Sequence, residues 1–214
     1  EGIDFTFNRA LGFISMRTYI NSGDAIAVAY VYTDPNTGAP VEVGEFPSKV
    51  SEGDRLYLKL LRPGGMTTTD KAWPLTMRNI YSLGVSGITP DGFELEIADT
   101  RANIPVISLP ERNQTLLEDL GLDRVNSEGA IGSDNIVDFT GITIDASTGR
   151  LMFPYLEPFG DRIISLLDGV VADTVRNTYA FTELYDIKQT DARVNSKNGN
   201  YTISGLSSGG VSGS

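Results

Sequence analysis

Apolar and polar side chains alternate over much of the first third of the chain. In 25-AIAVAYVYT-33, Ile26, Val28, Tyr30 and Tyr32 fall on one face at period two, the pattern of a strand. Asp34-Pro35-Asn36-Thr37-Gly38 follows, and it is turn chemistry: proline presets φ and glycine accepts φ > 0. The run 40-PVEVGEF-46 then returns as a strand, which predicts a hairpin, and 55-RLYLKLL-61 adds a further strand before Arg62-Pro63-Gly64-Gly65. The period changes in 73-WPLTMRNIYSLG-84. Trp73, Met77, Ile80 and Tyr81 recur at i, i+4, i+7 and i+8, and Gly84 suits the position just past a helix end, so a short amphipathic helix is expected. Alternation resumes in 93-FELEIA-98, with Phe93, Leu95 and Ile97 inward and Glu94 and Glu96 outward.

A second helix is expected over 114-QTLLEDLG-121, with Asn113 as N-cap and Leu116, Leu117 and Leu120 on one face. Beyond the polar loop 122-LDRVNSEGAIGSDN-135 comes 138-DFTGITIDASTGRLMFPYLEPFG-160. It reads as a strand, a turn at Ser147-Thr148-Gly149 and a returning strand, with Ile142 and Ile144 beside Leu151 and Phe153. The Phe153-Pro154 and Glu157-Pro158 pairs push the residue before each proline out of the α region, so a rigid bend separates this hairpin from a third helix, 161-DRIISLLDG-169. Residues 179-YAFTELYD-186 suit either a helical turn or an extended segment. The run 195-NSKNGNYTISG-205 reads as a hairpin turning at Asn198-Gly199, and 207-SSGGVSGS-214, which lacks an apolar face, as a flexible tail.

The fold class expected from these elements is α+β and β-dominated, an antiparallel sandwich or jelly-roll-like core with about three short helices. One module over 1–206 is expected, with a division into subdomains 1–105 and 106–206 as a second option. Two segments echo one another: Asp4-Phe5-Thr6 with 12-GFISM-16, and Asp138-Phe139-Thr140 with 149-GRLMF-153. A repeated hairpin unit and chance both account for two such copies.

Composition narrows the chemistry. The 214 residues are enough for a sizeable core, and 40% hydrophobic with 21% charged residues is the balance of a folded globular chain. Seventeen basic against 28 acidic side chains leave a net charge of −11, which repels polyphosphates and makes nucleic acid a poor partner. There is no histidine and no cysteine. A Ser-His-Asp triad, a thiol nucleophile, a disulfide, a zinc ribbon and an iron–sulfur cluster are therefore excluded. Carboxylates, Tyr, Lys, Ser and Thr remain, alone or around a hard oxygen-liganded cation. No apolar run reaches the length of a transmembrane helix, and the start at Glu1 rather than Met suggests a mature or excised piece.

Three candidate chemistries follow. The loop bearing Asp123, Asn126, Glu128, Asp134 and Asp138 has the oxygen-rich composition of a calcium site, but not the D-x-[DN]-x-[DN]-G spacing that would make it specific. Turn formation by Asp and Asn explains the same residues. Asp123, Asn126, Asp134 and Asp138 are the calcium candidates, and no other cofactor is implied. Glu94 or Glu96 opposite Glu157 would suit a carboxylate hydrolase, although alternating glutamates on a strand are the ordinary solvated face of a sheet. Trp73 and the nine tyrosines could stack on sugars, which keeps a carbohydrate-binding β-sandwich as an alternative. Gly64-Gly65 is not a phosphate loop, because no G-K-[ST] follows.

The runs 25-AIAVAYVYT-33, 43-VGEF-46, 57-YLKLLRP-63, 78-RNIYSLG-84, 119-DLGLDRVN-126, 138-DFTGITIDASTGRLMFPYLEPFG-160 and 183-ELYD-186, in this order and spacing, resemble the SprA/Sov family of giant outer-membrane proteins of Bacteroidetes. The resemblance implies a segment of the translocon of the type IX secretion system, which in gliding members is also required for motility. It implies no enzymatic activity. Its partners would be other parts of the translocon, accessory proteins and secreted cargo. Membrane-spanning barrel strands need about nine to eleven residues. The shorter strands here point instead to a water-exposed module at the outer membrane, in the cap, the pore interior or the periplasm, with no membrane span of its own.

Overall fold

The computed structural model describes residues 4–9, 12–195, 197, 199–208 and the backbone of 211–212. The chain forms two compact units, one of residues 1–8 and 13–76, the other of residues 9–12 and 77–214. The division falls at Thr76–Met77.

In the first unit, β1 (Phe5–Asn8) pairs with β2 (Phe13–Met16), β3 (Ile26–Val28) with β6 (Lys59–Arg62), and β4 (Tyr30–Thr33) with β5 (Pro40–Val43), all antiparallel. The β4–β5 hairpin is the expected one. Asp34 carboxylate oxygens accept from the Asn36 amide and the Thr37 hydroxyl at 2.8 and 3.0 Å, and Gly38 takes φ +70°. The single strand expected over 25–33 is two, because the chain changes partner at Ala29, from β6 to β5. Ile26 and Val28 are half-buried, whereas Tyr30 and Tyr32, on the same period, are exposed.

The second unit holds the core. Leu95, Ile97, Leu109, Leu116, Leu120, Leu122, Ile144, Leu151, Phe153, Ile163 and Leu167 pack into one buried cluster, each side chain of this size contributing about 1.5–3 kcal/mol by leaving water. Its strands are β7 (Ile80–Ser82), β8 (Val85–Ser86), β9 (Glu94–Asp99), β10 (Ile144–Asp145), β11 (Arg150–Met152), β12 (Tyr201–Leu206) and β13 (Val211–Ser212). The order β10–β11–β7 makes a three-stranded sheet, and β9–β12 and β8–β13 are two-stranded. The helices are α1 (Leu116–Asp119), α2 (Asp161–Leu167), α3 (Asp173–Tyr179) and α4 (Gln189–Val194). The protein is thus α+β and β-dominated, its antiparallel strands gathered into small sheets with short helices between them.

Local expectations held where period and tertiary context agree. β9 buries Leu95 and Ile97 and exposes Glu94 and Glu96. Ile144 lies opposite Leu151 across the 147–149 turn. Helices occupy the middle half of 114–121, as Leu116–Asp119, and most of 161–169, as Asp161–Leu167. Within 179–186 the structure has one 3-10 turn, Thr182–Leu184.

Other expectations are corrected. The helix over 73–84 is absent: Trp73–Leu75 make one 3-10 turn, Thr76 is extended at ψ 139°, and Ile80–Ser82 join the sheet beside β11. The Asn79 side-chain amide donates to the Phe153 carbonyl at 2.6 Å, and the Phe153 amide donates to the Asn79 carbonyl at 2.9 Å, so a nonlocal clamp overrides the helical period. Ile142 is 50% exposed, because Thr140 and Thr143 close a turn in which the Thr143 and Ile144 amides both donate to the Thr140 carbonyl. That turn replaces the strand expected at 138–143, so the echo of Asp4-Phe5-Thr6, where β1 begins, is not structural. Thr115 rather than Asn113 caps α1, its hydroxyl accepting from the Glu118 amide. The hairpin expected over 195–205 is replaced by pairing of β12 with β9, Ile203 opposite Ile97; Asn198 lies outside the described residues. The tail is not featureless either. Val211–Ser212 pair with Ser86 and Val85, and the Thr89 hydroxyl donates to the Ser208 carbonyl.

Candidate functional site

Four separated runs meet in the second unit, around 154-PYLEPFG-160. Arg78, two residues before β7, donates from Nη1 to Glu157 Oε1 at 2.5 Å, and both side chains are largely buried. Pro154 and Pro158 hold the intervening backbone in a bend. Gly160 follows, where a Cβ would come within 3.0 Å of the Tyr185 ring and 3.1 Å of Glu157 Oε2. Glycine here lets the bend close on both residues.

Tyr185, one position beyond the 182–184 turn, reaches the same place. Its hydroxyl accepts from the Phe159 amide at 3.0 Å and lies 3.2 Å from the Tyr81 hydroxyl. Tyr81 meets Phe153 and Phe159 edge-on at 5.3 and 5.9 Å, and Phe159 stacks on Tyr201 at 4.9 Å. Each such ring pair adds about 0.5–1.5 kcal/mol beyond area. From the fourth run, Gly121 at φ +79° lies so close that a Cβ would be 2.7 Å from Pro154. Arg162 Nε donates to the Asp119 carbonyl at 2.8 Å while its guanidinium covers Tyr155 at 4.0 Å.

Burial sets the electrostatics. It raises the Glu157 carboxyl above its ordinary value, the Arg78 hydrogen bond pulling the other way and Asp161 and Asp186 reinforcing the rise. Burial also pushes the Tyr81 and Tyr185 phenols up, so both stay protonated at neutral pH. Beside the bend is a cleft of about 420 Å³ lined by Pro154, Tyr155, Leu156, Glu157, Asp161, Arg162 and Ser165. A second cleft of similar size is lined by Asp99, Arg101, Val106, Leu109 and Tyr179 among others. There Arg101 pairs with Asp99 and covers the Tyr179 ring at 3.8 Å.

The sequence candidates fall elsewhere. Glu94 and Glu96 are exposed on β9 and line neither of these clefts, so the convergence a carboxylate hydrolase requires is not found there. Asp123 is buried, but its oxygens accept from the Ser133 hydroxyl and the Asp134 and Asn135 amides at 2.5, 3.1 and 2.8 Å. Asp138 accepts from the Arg124 and Val125 amides, Asp134 from Ser127 and Ile136, and Asn126 from Glu128 and Ala130. Each acid or amide is engaged with loop backbone, and among the described residues no three acidic groups are placed to share a metal ion. The exposed aromatics are in the first unit, where Tyr30 and Tyr32 project from β4 with centroids 6.3 Å apart.

Periodicity could not have found Arg78, Gly121, Gly160 or Tyr185, because each acts across a long separation. All four lie within or beside the runs quoted for the family resemblance. No protein-family model matches the chain, and no curated protein matches it.

Proposed function

We propose that this chain is a non-enzymatic structural and interaction module of an outer-membrane protein-secretion translocon, the type IX system that also serves gliding motility, and that it is a segment of a SprA/Sov-like protein. The observation that supports this most is the use made of the runs 78-RNIYSLG-84, 119-DLGLDRVN-126, 153-FPYLEPFG-160 and 183-ELYD-186. Within them Arg78 bonds to Glu157, and Tyr185 bonds to the Phe159 amide and lies within hydrogen-bond distance of the Tyr81 hydroxyl. Side chains engaged in this way hold shape. The partners in this reading are the rest of the translocon, its accessory proteins and passing cargo, at the outer membrane in the cap, the pore interior or the periplasm.

Deleting these residues from the full-length parent and measuring surface delivery of a type IX substrate tests the reading. Loss of delivery with the parent still present in the outer membrane is expected, and unchanged delivery overturns it. The alternative of a carbohydrate-binding module draws on Tyr30 and Tyr32, exposed side by side on β4. A glycan-array signal lost in Tyr30→Ala/Tyr32→Ala would favour it over the structural role.

A further inference from the structure

The first unit lacks the kind of interior that the second has. Among its described residues Ala72 is the one buried hydrophobic side chain, and its strands form two-stranded ribbons. Such ribbons are marginal in water until a third strand or another layer joins them.

The segment 55–62 combines three features. Leu56, Tyr57, Leu58 and Leu60 are 39, 65, 42 and 46% exposed. Arg55, Lys59 and Arg62 lie among them, and no described residue forms an ion pair with any of the three, in a chain whose net charge is −11. Among the described residues β6 is bonded to one strand, β3, along one edge. Glu45 engages the Tyr57 peptide, its amide donating to the Tyr57 carbonyl at 2.7 Å and its carboxylate accepting from the Tyr57 amide at 2.8 Å. The open edge is therefore Leu58 to Arg62.

We propose that the free edge of β6 receives an extended polypeptide segment of alternating acidic and apolar residues as an added strand. An open edge presents unpaired N–H and C=O groups that another strand satisfies. Arg55 and Lys59, on one face at period two, select acidic side chains on it, and Leu58 and Leu60, on the other face, offer apolar surface to the residues between. A second copy is disfavoured, because pairing β6 with itself would bring Lys59 and Arg62 against like charges. An anionic lipid surface would attract the same cations but would leave the edge peptide groups unsatisfied in an apolar phase. This inference does not depend on the secretion reading.

Fluorescence anisotropy of the whole chain with a labelled ten-residue peptide of alternating glutamate and valine tests it. Expected results are saturable binding, at least tenfold weakening in Arg55→Glu/Lys59→Glu, and no change in Lys71→Glu, an exposed charge outside the strand. Binding is also expected to vanish for the same peptide N-methylated at alternate residues, which keeps the charge but cannot form the ladder. Equal binding of the N-methylated peptide overturns the proposal, as does no binding of the parent peptide. Concentration-dependent dimerisation through this edge in sedimentation, or capture by phosphatidylglycerol vesicles in preference to the peptide, overturns it as well.

Discussion

Arg78 and Glu157, 79 positions apart in sequence, meet in a 2.5 Å ion pair with side chains only 11 and 16% exposed. Attraction at such a site is set against the cost of taking two charges out of water, so removing one partner hurts more than removing both. Arg78→Ala is expected to cost about 2–4 kcal/mol at neutral pH, and Arg78→Met/Glu157→Leu to recover most of it. The one tryptophan, Trp73, belongs to the first unit. Near-ultraviolet circular dichroism of the tyrosines in urea is therefore the appropriate readout.

The same pair has a pH signature. Glu157 is raised above 4.5 by burial, which outweighs the Arg78 hydrogen bond. In the interval just above 4.5 the folded chain keeps a proton that the unfolded chain has released, so folding binds protons there. The stability this provides is complete below 4.5 and is lost as pH rises through the raised folded value. Relative to Glu157→Gln, the native chain should therefore lose stability on going from pH 4 to pH 7. The cost of Arg78→Ala should shrink toward pH 4. A flat difference between native chain and Gln variant across that range would contradict the assignment.

Gly149 turns β10 into β11 at φ +63°, and a Cβ there would stand 1.4 Å from the Val85 carbonyl oxygen. Backbone cannot yield as a flexible side chain does. Gly149→Ala should cost at least about 3 kcal/mol or prevent folding of the second unit. Gly141→Ala, with nothing within 4 Å and no positive φ, should stay within about 0.5 kcal/mol. Melting temperatures of the two variants make the comparison.

Asp123 organises the 123–138 loop through three donors. Asp123→Ala leaves those donors without their acceptor and should cost about 2–4 kcal/mol. Millimolar calcium should leave the melting temperature of the native chain unchanged. A calcium-dependent rise that Asp123→Ala abolishes would restore the calcium reading.

Tyr185→Phe keeps the ring but removes the acceptor of the Phe159 amide and the partner of the Tyr81 hydroxyl. A loss of about 1–2 kcal/mol is expected. Hydrogen exchange at the Phe159 amide should accelerate more than at Leu95 in β9.

Much of the fold was legible where one segment carries its own instructions. Asp34 to Gly38 contain both the carboxylate that bonds the turn and the glycine that completes it. Leu116, Leu117 and Leu120 spell the buried stripe of α1. α3 and α4 were not legible, because neither buries a residue fully and so neither shows an apolar period. The candidate site was legible only as a set of recurring runs. Arg78 looked like one polar position of a helix, and nothing near it in sequence announces Glu157.

By itself the sequence determined the class and the limits of the chemistry. Period-two alternation with Gly- and Asn-bearing turns dictates antiparallel ribbons, and a chain without histidine or cysteine has no imidazole or thiol to offer. Tertiary structure alone decided that Ile80–Ser82 is a strand, that Asp123 and Asp138 serve loop backbone, and that Arg78 neutralises Glu157. The reason is one of scale. Local preferences differ by tenths of a kcal/mol per residue, whereas leaving a buried amide or charge without its partner across the chain costs several times that.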